Sequence, residues 1–155
     1  MDTEEIFLTT RLLIEDFALK IEQPAPNWLD VTLRQRADLI PAVAGLRVKR
    51  LGYLACITGL DPGPEQASFE VLYHFCPAAV FINLRVEVPK TDPSIPSLCS
   101  IIPSAESFER ELQEMFGITV TGLRNPAYLY LPDDWQAGVY PLRKDFDPGQ
   151  IVNQN

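Results

Sequence analysis

Apolar and polar residues alternate through NWLDVTLR, residues 27–34: Leu29, Val31 and Leu33 share one side, and Asp30, Thr32 and Arg34 the other. A period of two predicts a half-buried strand. The same period returns in SFEVLYHF (68–75), where Phe69, Val71, Tyr73 and Phe75 oppose Glu70, Leu72 and His74. It returns again in VFINLRVEV (80–88), where Ile82, Leu84, Val86 and Val88 oppose Phe81, Asn83, Arg85 and Glu87. YLACITGL (53–60) reads as another strand, joined to the next by the turn DPGPE (61–65). Short links make residues 53–88 an expected antiparallel meander.

A different period runs through ADLIPAVAGLRVKRLG (37–52). Leu39, Val43 and Leu46 form a helical stripe with Ile40 alongside. Asp38 is the expected cap, Pro41 falls in the first turn, and Gly52 is the expected left-handed stop. The opening TEEIFLTTRLLIEDFALKI (3–21) fits one helix, or a helix followed by a strand; the single helix is preferred. Residues 89–107 carry prolines at 89, 93, 96 and 103 and read as an extended connector. A helix over 104–117 follows, with Phe108, Leu112, Met115 and Phe116 on one stripe. Ser104 or Ser107 would cap it and Gly117 end it.

Beyond Gly117 neither period lasts ten residues, yet the segment holds Tyr128, Tyr130, Trp135, Tyr140 and Phe146. Disordered chain is normally poor in aromatics. The expectation is a two-layer α+β domain over residues 1–117, its mainly antiparallel sheet covered by helices, and an extended C-terminal arm over 118–155. The arm would bury its aromatics on its own domain or on another subunit.

Composition narrows the chemistry. Apolar residues make up 46% of the 155, enough for one core. A net charge of −8 disfavours nucleic-acid backbone and anionic lipid as partners and leaves proteins. No run approaches the roughly 18 apolar residues of a membrane span, and the acidic MDTEEIF is unlike a secretory or transit leader. Cys56, Cys76 and Cys99 form no CxxC and are expected as reduced core residues, with no local zinc or iron–sulfur ligand set. His74, the only histidine, is expected in a sheet. GLDPGPE has no phosphate-cradling glycine spacing.

ERELQEMFGI, Glu109 to Ile118, concentrates the remaining chemistry. Glu109 and Glu111 flank the apolar stripe about 200° apart, so they cannot share one substrate atom. A metal would need further ligands from afar. Arg110 lies opposite the stripe, four residues from Glu106 and from Glu114, and is expected to pair with them. Structural pairing of the flanking acids with donors elsewhere is preferred; a solvated face, or catalysis by carboxylates with His74, stays open. Downstream, YPLRKDF (140–146) sets Arg143 and Lys144 between apolar anchors. Arg143 is the expected grip on a carboxylate.

These two stretches carry a resemblance. ERELQEMFGI looks like the E-R-E-x-x-[DE]-x-[FY]-G-I motif of the complex I thirty-kilodalton subunit family. PLRKDF looks like its P-L-R-K-D-[FY]. The family includes C-type subunits of NADH:quinone oxidoreductase, plastid-type J subunits and related subunits of membrane-bound [NiFe]-hydrogenases. The similarity is strong over 106–147, looser over 27–105 and weak before 27. Between the motifs the respiratory branch carries G-H-P-x-L-R-R; this chain has GLRNPAYLYLPDDW (122–135), and its LPDDW looks more like the plastid and hydrogenase branches.

The resemblance implies a cofactor-free, non-catalytic subunit of the peripheral arm of an NADH- or ferredoxin-linked quinone oxidoreductase. It would lie on the cytoplasmic side of the membrane without inserting into it. The equivalent hydrogenase subunit is the alternative. The implied partners are the hydrogenase-like large subunit and cluster-bearing subunits. Glu109, Arg110, Glu111, Phe116, Gly117, Trp135, Pro141, Leu142, Arg143, Lys144 and Asp145 are the implied contact and structural residues.

Overall fold

The computed structural model describes residues 1–152. The chain is α+β. Helix α1 spans Thr3–Ile14 and strand β1 Ala18–Ala25; β2 follows at Trp28–Leu33 and α2 at Leu39–Val48. Then come β3 (Tyr53–Leu60), β4 (Ser68–Cys76) and β5 (Phe81–Pro89). Short strands β6 (Ser94–Pro96) and β7 (Thr119–Thr121) enclose α3 (Glu106–Phe116), and a four-residue turn of helix, α4, spans Gly149–Val152.

The five longer strands form one sheet in the order β1-β2-β5-β4-β3. The meander β3-β4-β5 is antiparallel, with Tyr73 opposite Ile57 and Leu84. The alternating residues do as their period requires. Leu29, Val31, Phe69, Val71, Tyr73, Phe75, Ile82 and Leu84 are at most 2% exposed. They meet Ile6, Phe7 and Ile14 of α1, Leu39, Val43 and Leu46 of α2, and Leu112 and Phe116 of α3 in one core. All three longer helices thus cover one face of the sheet, and the other face stays open.

Two local expectations are corrected, the single N-terminal helix and the Asp38 cap, and two details are added, the pairing of β2 and a second left-handed residue beside Gly52. The N-terminal stretch is a helix and then a strand: α1 ends at Ile14 and β1 pairs with β2. The burial of β1 runs with no clean alternation, so its period was not visible. β2 joins the meander in parallel, Val31 opposite Leu84; that pairing spans the whole α2–β4 excursion and leaves no local signature. Asp38 does not cap α2, because a turn of 3-10 helix (Arg36–Asp38) precedes it and the Asp38 carboxylate accepts from Gln35 Nε2. The left-handed stop after α2 falls first on Arg50 (φ 54°) and then on Gly52 (φ 83°).

Residues 89–107 are more than a connector. Within them β6 pairs in parallel with β7, and Ile95, Leu98 and Ile102 are buried in the main core. A 3-10 turn, Pro103–Ala105, leads into α3, so neither Ser104 nor Ser107 caps the helix. The cysteines are free but half-buried rather than core.

Candidate functional site

The polar residues of α3 divide their work. Glu109 is 1% exposed. Its carboxylate accepts from Ser97 Oγ (2.6 Å), the Leu98 amide (2.6 Å) and Cys99 Sγ (3.2 Å). Glu109 therefore ties α3 to the segment after β6. Burial first, and the Glu109 carboxylate beside it, push the Cys99 thiol above its ordinary value. It remains a protonated donor rather than a nucleophilic thiolate.

Arg110 does not pair with Glu106 or Glu114. Its guanidinium donates to the carbonyls of Ala127 and Tyr128, both at 2.8 Å. Glu114, only 4% exposed, accepts from the successive amides of Leu129 (2.8 Å), Tyr130 (3.0 Å) and Leu131 (3.5 Å). One helix thus grips the main chain of the arm with a cation for its carbonyls and an anion for its amides. The reason for the failed expectation is physical: exposed helix ion pairs contribute only a few tenths of a kcal/mol. Unsatisfied backbone groups in a partly enclosed strap cost ~1–3 kcal/mol each. Glu111, by contrast, has no hydrogen bond or ion pair among the described residues and is half-exposed.

The end of α3 seats the second motif. Gly117 closes the helix in the left-handed conformation (φ 68°). The Tyr140 ring lies where a side chain at 117 would stand, 2.4 Å from an ideal Cβ. The Leu142 amide donates to Met115 O (3.1 Å) and Arg143 Nε to Phe116 O (2.6 Å). Arg143 therefore grips the negative end of a helix rather than a carboxylate. Its guanidinium stacks on Tyr140 (4.3 Å) and Phe69 (5.0 Å). Phe116 is buried and meets Phe69 edge-on. Pro141 is half-buried, Leu142 is 50% exposed, and the side chains of Lys144 and Asp145 face outward. Trp135 is half-buried and donates from Nε1 to Val139 O. A cavity of about 500 Å³ separates this part of the arm from α3, lined by Gln113, Glu114, Tyr128, Val139 and Tyr140.

Asp61 escaped the sequence reading. Its turn was legible, since its carboxylate accepts from the Gly63 amide two residues on. Its other partners were not: Oδ1 also meets Lys90 Nζ (2.8 Å), and Oδ2 receives the Lys144 amide (2.9 Å). Asp61 therefore clamps PLRKDF to the β3–β4 turn. Burial acts to raise its pKa, but the bonds from Lys90, Lys144 and Gly63 outweigh it and hold the group below its ordinary value. A depressed folded pKa contributes stability that is full above the unfolded value, about pH 4. That contribution fades as pH falls through the folded value. Asp61→Asn is expected to flatten this acid limb, read as denaturant midpoints between pH 2.5 and 6; an unchanged limb would mean that other carboxylates set it.

His74 sits on the open sheet face, bridging Thr58 Oγ1 (2.9 Å) and Asn83 Oδ1 (2.8 Å). The sheet separates it from the carboxylates of α3, so the residues of the acid–base alternative are not brought together. Among the described residues, no group of three or more His, Cys, Asp or Glu side chains is arranged to hold a metal. No helix there is long and apolar enough to cross a membrane.

This arrangement has relatives. The C-type subunit of NADH-quinone oxidoreductase from Herpetosiphon aurantiacus is 34% identical over 126 residues, covering 77% of this chain and 72% of its own. Formate hydrogenlyase subunit 5 of Escherichia coli is 34% identical over 119 residues, 74% of this chain but 21% of its own length. The chain also spans less than half (43%) of the corresponding C-type polypeptide from Chloroherpeton thalassium.

Among solved structures, the trypsin-resistant fragment of Nqo5 superposes with a TM-score of 0.65 at 27% identity. The match covers 81% of this chain and 99% of that one. A chain of the membrane-bound sulfane sulfur reductase, an archaeal respiratory membrane complex, shares the fold with a TM-score of 0.81. It is 21% identical, and the match covers 97% of this chain and 89% of its own. Residues 33–151 match the family described as respiratory-chain NADH dehydrogenase, 30 Kd subunit, and with both motifs seated on α3 and its C-terminus, the chain belongs to that family.

Proposed function

We propose that this chain is a non-catalytic, cofactor-free assembly subunit in the peripheral arm of a complex-I-type quinone oxidoreductase. It docks on the cytoplasmic side against the hydrogenase-like large subunit, near the cluster-bearing subunits whose electron transfer it helps to organise. The observation that carries this reading is the half-seated arm. α3 and Asp61 hold its main chain, yet Tyr130 is 65% and Leu142 50% exposed, and of its described apolar side chains beyond Val120 only Val139 is buried. An ordered segment that leaves large apolar side chains outward is prepared to cover a neighbour.

A second reading has its own support. The formate hydrogenlyase relative and the LPDDW segment favour the equivalent subunit of a membrane-bound, energy-converting [NiFe]-hydrogenase. The large subunit that co-purifies separates the two, since a nickel site carries its own cysteine pairs.

The test is capture of the parent complex on a tagged copy of this chain. Arg143→Ala, which unseats the arm from α3, and Glu111→Ala, which removes an unpaired outward carboxylate, are expected to leave the far-UV circular dichroism unchanged and to weaken capture of the large subunit by about tenfold or more. Wild-type yield from both variants would overturn the docking reading. Flavin or iron–sulfur absorbance from the purified chain alone would overturn the cofactor-free one.

A further inference from the structure

The two edges of the sheet are built differently. The outer edge β1, ALKIEQPA, carries Lys20, Glu22 and Pro24, the residue types that discourage another strand from pairing. The opposite edge β3, YLACITGL, has no charge and no proline, and beyond a register shift between Leu54 and Cys56 its last five residues, 56–60, pair with β4 without interruption. Among the described residues, no β3 backbone group bonds beyond the β4 ladder. Proteins seldom leave such an edge unguarded without a use for it.

Beside that edge runs a groove. It is bounded by Ile57, Thr58 and Gly59 of β3, by Phe108 and Glu111 of α3, and by Leu142 of the arm. Gly59 makes the geometry possible: a Cβ there would lie 2.5 Å from the Phe116 ring and 2.8 Å from Leu112, so any side chain would push α3 away from β3. The groove holds about 170 Å³. That is below the ~300 Å³ at which small-molecule and cofactor pockets begin. It is close to the ~150 Å³ that takes one benzene-sized group. Its walls are apolar apart from Thr58 and the unpaired carboxylate of Glu111.

We propose that β3 accepts an extended segment of a different polypeptide as a sixth strand. One inward-facing apolar side chain of that segment fills the groove against α3, and a basic neighbour meets Glu111. This deepens the assembly reading and rests on it. An added strand lies ~4.8 Å from β3 and sends alternate side chains to the α3 side, where the groove is. Charge selects the occupant. A second copy paired through β3 would bring two chains of net charge −8 together, each with an α3 beside the seam and a Glu111 facing it. A heterologous strand carrying Lys or Arg satisfies the carboxylate instead.

Amide hydrogen exchange of the isolated chain and of the same chain in its purified parent complex tests this. Every second amide of residues 56–60, the part of β3 beyond the register shift at Leu54/Cys56, is expected to slow at least tenfold in the complex, because outward-facing amides alternate along a regular edge. Glu111→Lys and, independently, Leu142→Ala are expected to reduce that slowing. Slowing confined to α3 and residues 118–146 would overturn the strand-acceptor site and leave the docking reading standing. No slowing anywhere would overturn both. Concentration-dependent slowing of 56–60 in the isolated chain, with dimers by light scattering, would assign the edge to a second copy and overturn the heterologous strand.

Discussion

Glu109→Ala is expected to destabilise the domain by about 3–5 kcal/mol, the sum of two orphaned buried donors and a cavity. The carboxylate is enclosed and serves Ser97 Oγ and the Leu98 amide, both at 2.6 Å, as well as Cys99 Sγ. Alanine leaves the first two as buried donors without acceptors, each costing ~1–3 kcal/mol, and opens a cavity as well. For a chain of this size such a loss lowers the melting temperature by roughly 10 °C. Glu109→Gln keeps one acceptor but presents an amide NH₂ to donors, and should fall between. Ser97→Ala removes one hydroxyl and should cost far less, about 1 kcal/mol. Denaturant melts rank the three. A loss below 1 kcal/mol for Glu109→Ala would mean that the segment after β6 does not depend on this anchor.

Gly117→Ala is expected to release the arm while the sheet persists. The residue sits at φ 68°, where a side chain costs roughly 1–2 kcal/mol. Its Cβ would also stand 2.4 Å from Tyr140 and 2.8 Å from Arg143 Nη2, so strain and collision act together. The least costly relief is to move Tyr140 and Arg143 off the end of α3. Limited trypsin digestion should then cut at Arg124, Arg143 and Lys144 at least tenfold faster, with the far-UV spectrum unchanged. Gly138→Ala is the control: it shares the left-handed backbone (φ 81°), but nothing lies within 4 Å of its Cβ. Equal acceleration in both variants would show that backbone strain, and not the Tyr140 seat, governs release.

The parts legible in the sequence are those whose reasons are local. Alternation in 27–34, 68–75 and 80–88 identified β2, β4 and β5 with their inward residues, because one face of each is buried. The stripe Phe108–Leu112–Phe116 and the glycine after it identified α3 and its end. What stayed hidden depends on distant or main-chain partners. The parallel β2–β5 pairing joins residues some fifty apart, and Ile95 and Leu98 looked like connector until β7 supplied a strand for β6. Arg110 and Glu114 invited an i, i+4 pair because side chains are all that a sequence displays. Their actual partners are carbonyls and amides, which every residue carries. The partner of Arg143 is hidden for the same reason, being the main-chain carbonyl of Phe116.

Because Arg110 and Glu114 hold residues 127–131 by peptide groups alone, that stretch can be rewritten almost freely without losing its berth. Proline at 129, 130 or 131, which has no N–H to offer, is the exception. The side chains of Tyr128, Leu129, Tyr130 and Leu131 are thereby released from holding the segment in place, and the stretch between the two motifs can diverge while both ends stay moored.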